Sequence, residues 1–236
     1  DGYRVGIFTF HSFCNELIRR FPDEFPRIIG SQNITDIDKI QILKDIILSE
    51  KLERLKPFGD PYYYLKDIGR AISDLKRENV LPDDAEKRVV GQRDDYDQIE
   101  DLVHSKGAHK GKVKGKYADL LKKIEKNEEL VRLYRRYEAE LRDRKLYDYE
   151  DMIVETIAAL GHNQDFLLQV QEEYHYVLAD EHQDANNSQN ALLELLASHF
   201  DNPNLFLVGD AKQAIYRFQG ASLEKFLYFK ARYTDA

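Results

Sequence analysis

Residues 174–184 read YHYVLADEHQD. An apolar run ending at Ala179 delivers the chain to two adjacent carboxylates, Asp180 and Glu181, and then to Gln183 and Asp184. A short apolar run set between helical patterns predicts a buried strand of a parallel sheet. In open α/β sheets ligands sit beyond the carboxyl ends of the strands, so this pair stands where chemistry is expected. In a phosphate-handling protein the first carboxylate can hold Mg²⁺, directly or through water. The second can polarise the water that attacks a terminal phosphate. The competing reading is an acidic pair that only opens a loop.

Two further runs repeat the pattern. Residues 205–208 (LFLV) lead into Gly209-Asp210-Ala211-Lys212-Gln213-Ala214-Ile215-Tyr216-Arg217-Phe218-Gln219-Gly220-Ala221. Gln213 can report on a γ-phosphate through its amide. Tyr216 and Phe218 flank Arg217, and aromatics beside a cation suit stacking on exposed bases, worth roughly 1–3 kcal/mol per base; the plainer reading makes both aromatics core. Residues 4–8 (RVGIF) precede Thr9-Phe10-His11-Ser12-Phe13. Hydroxyl and imidazole groups there can bond a phosphodiester backbone, and the phenylalanines are available for base or core contact. Asp148-Tyr149-Glu150-Asp151 reads as an acidic helix start. Three strands interleaved with helices predict an α/β layer with a parallel sheet.

The stretch between the first and second strands is mostly helical in pattern. Residues 37–48 carry Ile37, Ile40, Leu43, Ile47 and Leu48, with Thr35 or Asp36 as cap. Residues 64–75 continue through Leu65, Ile68, Ile72 and Leu75 until Pro82 breaks the pattern, and 94–103 form a further short candidate. Residues 117–146 form a long charged helix, with Ile124, Leu133, Tyr134, Tyr137 and Leu141 among its apolar positions. The expected organisation is therefore an α/β segment at 1–30, an all-helical insertion at 31–146 and a second α/β segment at 147–236. Residues 105–116 (SKGAHKGKVKGK) hold five lysines and three glycines without an acid. They read as a solvated loop or as a basic arm that touches phosphates. They are no P-loop: three residues rather than four separate the glycines, and neither Gly-Lys is followed by Ser or Thr.

Composition narrows the classes. Charged residues make up 33% of the 236 and leave no apolar run near the ~20 residues of a bilayer span. Cys14 is the only cysteine, which excludes an internal disulfide and a cysteine-built zinc site; a reducing, cytoplasmic setting is expected. The formal charge of −8, from 35 basic and 43 acidic residues, argues against wholesale coating of nucleic acid but not against a local groove for one strand. Asp1 lies at the edge of a strand-like run, which points to a longer parent.

Taken in order, these segments resemble the UvrD/Rep-type superfamily 1 DNA helicases. Residues 9–13 resemble the family's T-x-H-S-F element, and 148–153 its D-F/Y-x-D-L/M helix start. Residues 180–184 resemble the D-E-x-Q-D form of motif II, and 209–221 resemble motif III. The resemblance implies a partial RecA-like P-loop NTPase domain carrying a large all-α insertion of the 1B kind. It implies ATP-driven movement on single-stranded DNA, usually 3′ to 5′, and unwinding of duplex DNA in repair, replication restart or recombination. Nucleotide contacts would fall on Asp180, Glu181, Gln183, Asp210 and Gln213, with Mg²⁺ on Asp180 and the catalytic base on Glu181. DNA contacts would fall on Thr9, Phe10, His11, Ser12 and Phe13 and on Tyr216, Arg217 and Phe218. The remainder of the same polypeptide would be a partner, and no membrane is involved.

Gln219 stands where the family usually has Arg, and His182 where Tyr or Phe is common. No G-x-x-x-x-G-K-T occurs in the 236 residues, so the phosphate cradle and the second motor domain are expected outside them and this chain alone is expected to be inactive. One alternative is the helicase subunit of a recombination helicase–nuclease. Another is a non-hydrolysing single-strand-binding module derived from a motor, which Gln219 favours and the intact Asp180, Glu181 and Gln213 oppose.

Overall fold

Helix α1 (Phe10–Arg20) begins at a reciprocal cap: the Thr9 hydroxyl accepts from the Ser12 amide at 3.2 Å, and the Ser12 hydroxyl accepts from the Thr9 amide at 2.7 Å. Phe13, Cys14, Leu17 and Ile18 form one buried stripe of that helix, and Arg19 and Arg20 occupy its last turn, where the helix dipole favours cations. The computed structural model describes residues 5–103, 111, 113–198 and 203–210. They fall in two units: one comprises Asp1–Ile34, Ser73–Asn79 and Arg144–Ala236, the other Thr35–Ile72 and Val80–Asp143. The stretch 31–146 is thus divided, with Ser73–Asn79 in the first unit.

In the first unit the α1 stripe packs on α6 (Asp151–His162), α7 (Gln164–Glu173) and α8 (Asn187–Ala197) through Ile153, Leu160, Phe166, Leu167, Val170, Leu192 and Leu196. Two small parallel pairs accompany these helices. Strand β1 (Gln32–Asn33) pairs with β2 (Leu146–Tyr147), and β3 (Val177–Ala179) pairs with β4 (Leu205–Leu207) in the register Val177–Leu205, Leu178–Phe206 and Ala179–Leu207. The connection from β3 to β4 carries α8, as a parallel pair requires a crossover.

The strands differ from expectation in three ways. Residues 5–8 form no strand, with Val5 80% and Ile7 91% exposed. No described strand lies alongside to complete their backbone hydrogen bonds, and an apolar run without a ladder partner is not a strand. The β3–β4 pair is buried on one face only: Ala179 packs with Leu193 while Leu178 and Phe206 face outward, exposed. The β1–β2 pair, two residues a side, carries no alternation that a sequence pattern can register.

The second unit contains α2 (Asp36–Ser49), the first part of α3 (Leu65–Arg77), α4 (Pro82–Asp97) and α5 (Gly115–Asp143), with one Val103–Val113 bridge among its described residues. Thr35 caps α2, and Ile42, Leu43, Ile46 and Ile47 are its buried face, whereas Ile37, Ile40 and Leu48 are exposed. Pro82 occupies the first turn of α4, where its missing N–H costs nothing. The expected short helix at 94–103 is the end of that helix followed by irregular chain. Ile124, Leu133, Tyr134, Tyr137 and Leu141 are buried along α5.

Candidate functional site

The carboxyl ends of β3 and β4 are tied together by backbone hydrogen bonds and by one side chain. The Val208 amide donates to the Ala179 carbonyl at 2.8 Å and the His182 amide to the Val208 carbonyl at 2.9 Å, which carries the pairing one step past each strand. There Gln183, buried, reaches both ways. Its Nε2 donates to the Glu181 carboxylate at 2.5 Å, and its Oε1 accepts from the Asp210 amide at 3.0 Å. Asp180 and Glu181 are exposed. The Glu181 amide donates to Asp180 Oδ1 at 2.9 Å. Glu181 takes φ 51° and ψ 36°, a left-handed conformation that costs a non-glycine residue roughly 1–3 kcal/mol and clusters at functional sites. The residue between the strand end and Asp210 has to be glycine. A Cβ on Gly209 would lie 2.5 Å from Gln183 Oε1 and 3.1 Å from the Gln183 backbone nitrogen.

His182 anchors the back of this turn. Its Nε2 meets Asn190 Oδ1 at 2.8 Å, and burial lowers its pKa against the opposing effect of that bond. The exposed, oxygen-only pair at a strand end fits a Mg²⁺ that takes one or two protein carboxylates and keeps water and phosphate oxygens as its other ligands. Among the described residues no group of three or more His, Cys, Asp or Glu side chains forms a cage that would hold a metal unaided.

A cavity of about 290 Å³ opens beside this turn, lined by His11, Arg77, Tyr149, Asp184, Ser188 and Gln189 among others. The His11 and Tyr149 rings stack with centroids 3.7 Å apart and planes 14° from parallel. His11 Nε2 has no hydrogen-bond partner among the described residues, and neither has Asp184 Oδ1. Burial, with a smaller contribution from the Arg77 charge, lowers the His11 pKa against a backbone hydrogen bond at Tyr149. The imidazole is therefore neutral over more of the physiological range than a free histidine. Asn186 caps α8 beside the cavity, its side chain accepting from the Gln189 amide at 3.0 Å.

The residues expected at a DNA strand are placed unequally. Thr9 and Ser12 are exposed, although their hydroxyls already serve the α1 cap. His11 is half-buried at the cavity. Phe13, at 9% exposure, packs among Leu17, Val170 and their neighbours, the core contact that the sequence left open beside base contact. Phe10 also packs against the core, partly buried. Asp180, Glu181, Gln183 and Asp210 come together at one rim. Gln213, Tyr216, Arg217 and Phe218 lie outside the described residues, as does most of the lysine-rich stretch; its Lys114 and Lys116 pair with Asp101. Tyr149, Arg77 and Gln189 were not singled out from sequence. For Tyr149 a signal existed, an aromatic one residue into an acidic helix start; Arg77 and Gln189 have none.

The chain matches the UvrD/REP helicase N-terminal domain over residues 3–234. The chain belongs to that family. Among its relatives is the ATP-dependent DNA helicase PcrA of Staphylococcus aureus strain Mu50, 31% identical over 235 residues. PcrA of Staphylococcus epidermidis strain ATCC 12228 is 30% identical over the same length. Both matches cover 98% of this chain and 26% of the relative, so the chain spans about a quarter of the helicases it resembles. Among the described residues no helix is long and apolar enough to cross a membrane.

Proposed function

We propose that this chain supplies part of the nucleotide site and part of the strand groove of an ATP-dependent DNA helicase of the UvrD/Rep type. The observation that carries the reading is the Gln183 bridge, which joins the Glu181 carboxylate to the Asp210 amide across the ends of two parallel strands. Beside the backbone bonds of the paired strand ends, that side chain would couple a change at one end to the other. Asp180 would hold Mg²⁺, which when bound neutralises charge on the nucleotide phosphates. Glu181 would accept the proton of the attacking water. Gln183 would aim the Glu181 carboxylate, while Gly209 lets the β4 end approach closely enough for the bridge.

The cavity at His11 and Tyr149 is proposed as a seat for single-stranded DNA. A half-exposed aromatic pair offers a face for a base, and Arg77 and Gln189 offer donors for a phosphate or sugar. Asp184 joins the two sites by position: it follows the Gln183 bridge and lines the cavity. In the whole protein, Gln213, Tyr216, Arg217 and Phe218 would extend the link from nucleotide to strand. Movement 3′ to 5′, unwinding of duplex DNA, and a place in repair, replication restart or recombination are the family's and are proposed for the full-length protein. The 236 residues hold no G-x-x-x-x-G-K-T cradle, so turnover by this chain alone should be undetectable.

The test is DNA-stimulated ATP turnover by the full-length protein carrying Gln183→Ala. Turnover should fall at least about tenfold while nucleotide affinity changes less, because positioning of the catalytic base is what is lost. Unchanged turnover would remove the bridge from the mechanism.

A further inference from the structure

Lys76 is 1% exposed, an unusual position for a lysine. Its ammonium donates to Asp148 Oδ2 and to Asp151 Oδ1, each at 2.7 Å, and both carboxylates are buried as well. The two aspartates also brace each other. The Asp148 amide donates to Asp151 Oδ2 at 2.9 Å, and the Asp151 amide donates to Asp148 Oδ1 at 3.1 Å. Arg27 stands 3.3 Å from Asp151 and 3.0 Å from Glu155. The next residue after Lys76, Arg77, reaches Glu150 at 3.1 Å. All of these groups belong to the first unit.

The clamp encloses a four-residue turn with one side chain left outside. That side chain is Tyr149, 55% exposed and stacked on His11. A buried ammonium between two carboxylates has no water to exchange with, so it fixes both carboxylates in one geometry. Fixing residues 148 and 151 fixes the directions of the two residues between them, Tyr149 among them. An ordinary helix cap needs only the reciprocal amide bonds; the lysine adds a third strut from another segment of the chain.

We infer that Lys76 is a positioning residue, which holds the 148–151 turn so that Tyr149 stands against His11 before any ligand arrives. The inference rests on the proposed strand seat for its purpose but not for its geometry. Pre-organising the aromatic face spares a strand the cost of ordering it. Lys76 itself touches no ligand, because its ammonium is enclosed.

The experiment uses the 236-residue chain. Stacking on Tyr149 shifts the His11 ring protons upfield through the ring current, and NMR reads that shift without DNA. Lys76→Met should lose the shift while methyl signals of Leu17 and Leu160, in the core, stay in place. Because Lys76→Met leaves two buried carboxylates, Lys76→Met/Asp148→Asn is the second variant; there the remaining Asp151 keeps Arg27, so the fold is retained and the shift should again be lost. Binding of oligothymidylate should weaken about tenfold in both variants, with the salt dependence of affinity unchanged. A His11 shift retained in either folded variant overturns the inference. A salt slope reduced by about one makes Lys76 a direct phosphate contact and overturns it too. If the shift is lost while Tyr149→Ala leaves oligothymidylate affinity unaltered, the positioning role is upheld and the strand seat fails.

Discussion

Two acidic pairs lie in the same unit and are treated in opposite ways. Asp148 and Asp151 are buried and share the Lys76 ammonium. Asp180 and Glu181 are exposed, have no cation partner among the described residues, and are held by an amide N–H and a glutamine. The first pair spends its charge inside the protein, where each carboxylate is neutralised and immobile. The second keeps its charge for something outside it. Residue type alone does not separate the two; burial and the identity of the partner do.

That contrast can be broken by substitution. Lys76→Ala removes the ammonium that two buried carboxylates share and should cost about 3–5 kcal/mol in urea unfolding. A loss below 1 kcal/mol would mean that water reaches the cluster and that the pair is no more internal than the exposed one. Gly209→Ala should come next, at about 1–3 kcal/mol, because a Cβ there meets Gln183 Oε1 at 2.5 Å and backbone nitrogens at 3.1 and 3.3 Å. If it is neutral, β4 does not approach the Gln183 turn as described. Asn186→Ala removes the α8 cap and should cost about 1 kcal/mol. Asp180→Asn should stay within about 0.5 kcal/mol of the parent chain, since an exposed carboxylate poised for a ligand contributes little to folding.

Acid sharpens the same comparison. Burial lowers the pKa of His182 and of His11 below the ordinary 6.5. The unfolded chain then binds more protons than the folded one as pH drops, so stability is full above about pH 6.5 and declines from there down to the lowered folded values. His182→Gln, which can still meet Asn190, should flatten that decline in urea midpoints measured from pH 7.5 to 5. An identical slope would take His182 out of the pH dependence.

The strand ends were legible because apolar runs followed by an acid are local signals: Val177–Ala179 and Leu205–Leu207 fall inside the runs read as strands. Residues 5–8 show where that reasoning stops, since a strand needs a neighbour and hydropathy does not report one. The α2 face shifted for a related reason. With isoleucine or leucine at seven of its positions, periodicity alone does not choose which of them turn inward, and Ile42 and Ile46 do so instead of Ile37 and Ile40. At the site, Asp180 and Glu181 were readable, but the Gln183 bridge depends on where β4 ends relative to β3. The Lys76 clamp joins positions 72 and 75 residues apart, and nothing local to a lysine near the end of a helix marks it as buried.

We propose that the rim at Asp180, Glu181 and Gln183 performs ATP hydrolysis in the full-length protein. Glu181→Gln removes the proton acceptor while keeping the side chain's size. Measured together, nucleotide affinity and DNA-stimulated turnover should separate, with affinity retained and turnover falling by about 100-fold or more. Turnover equal to that of the unaltered protein would contradict the account.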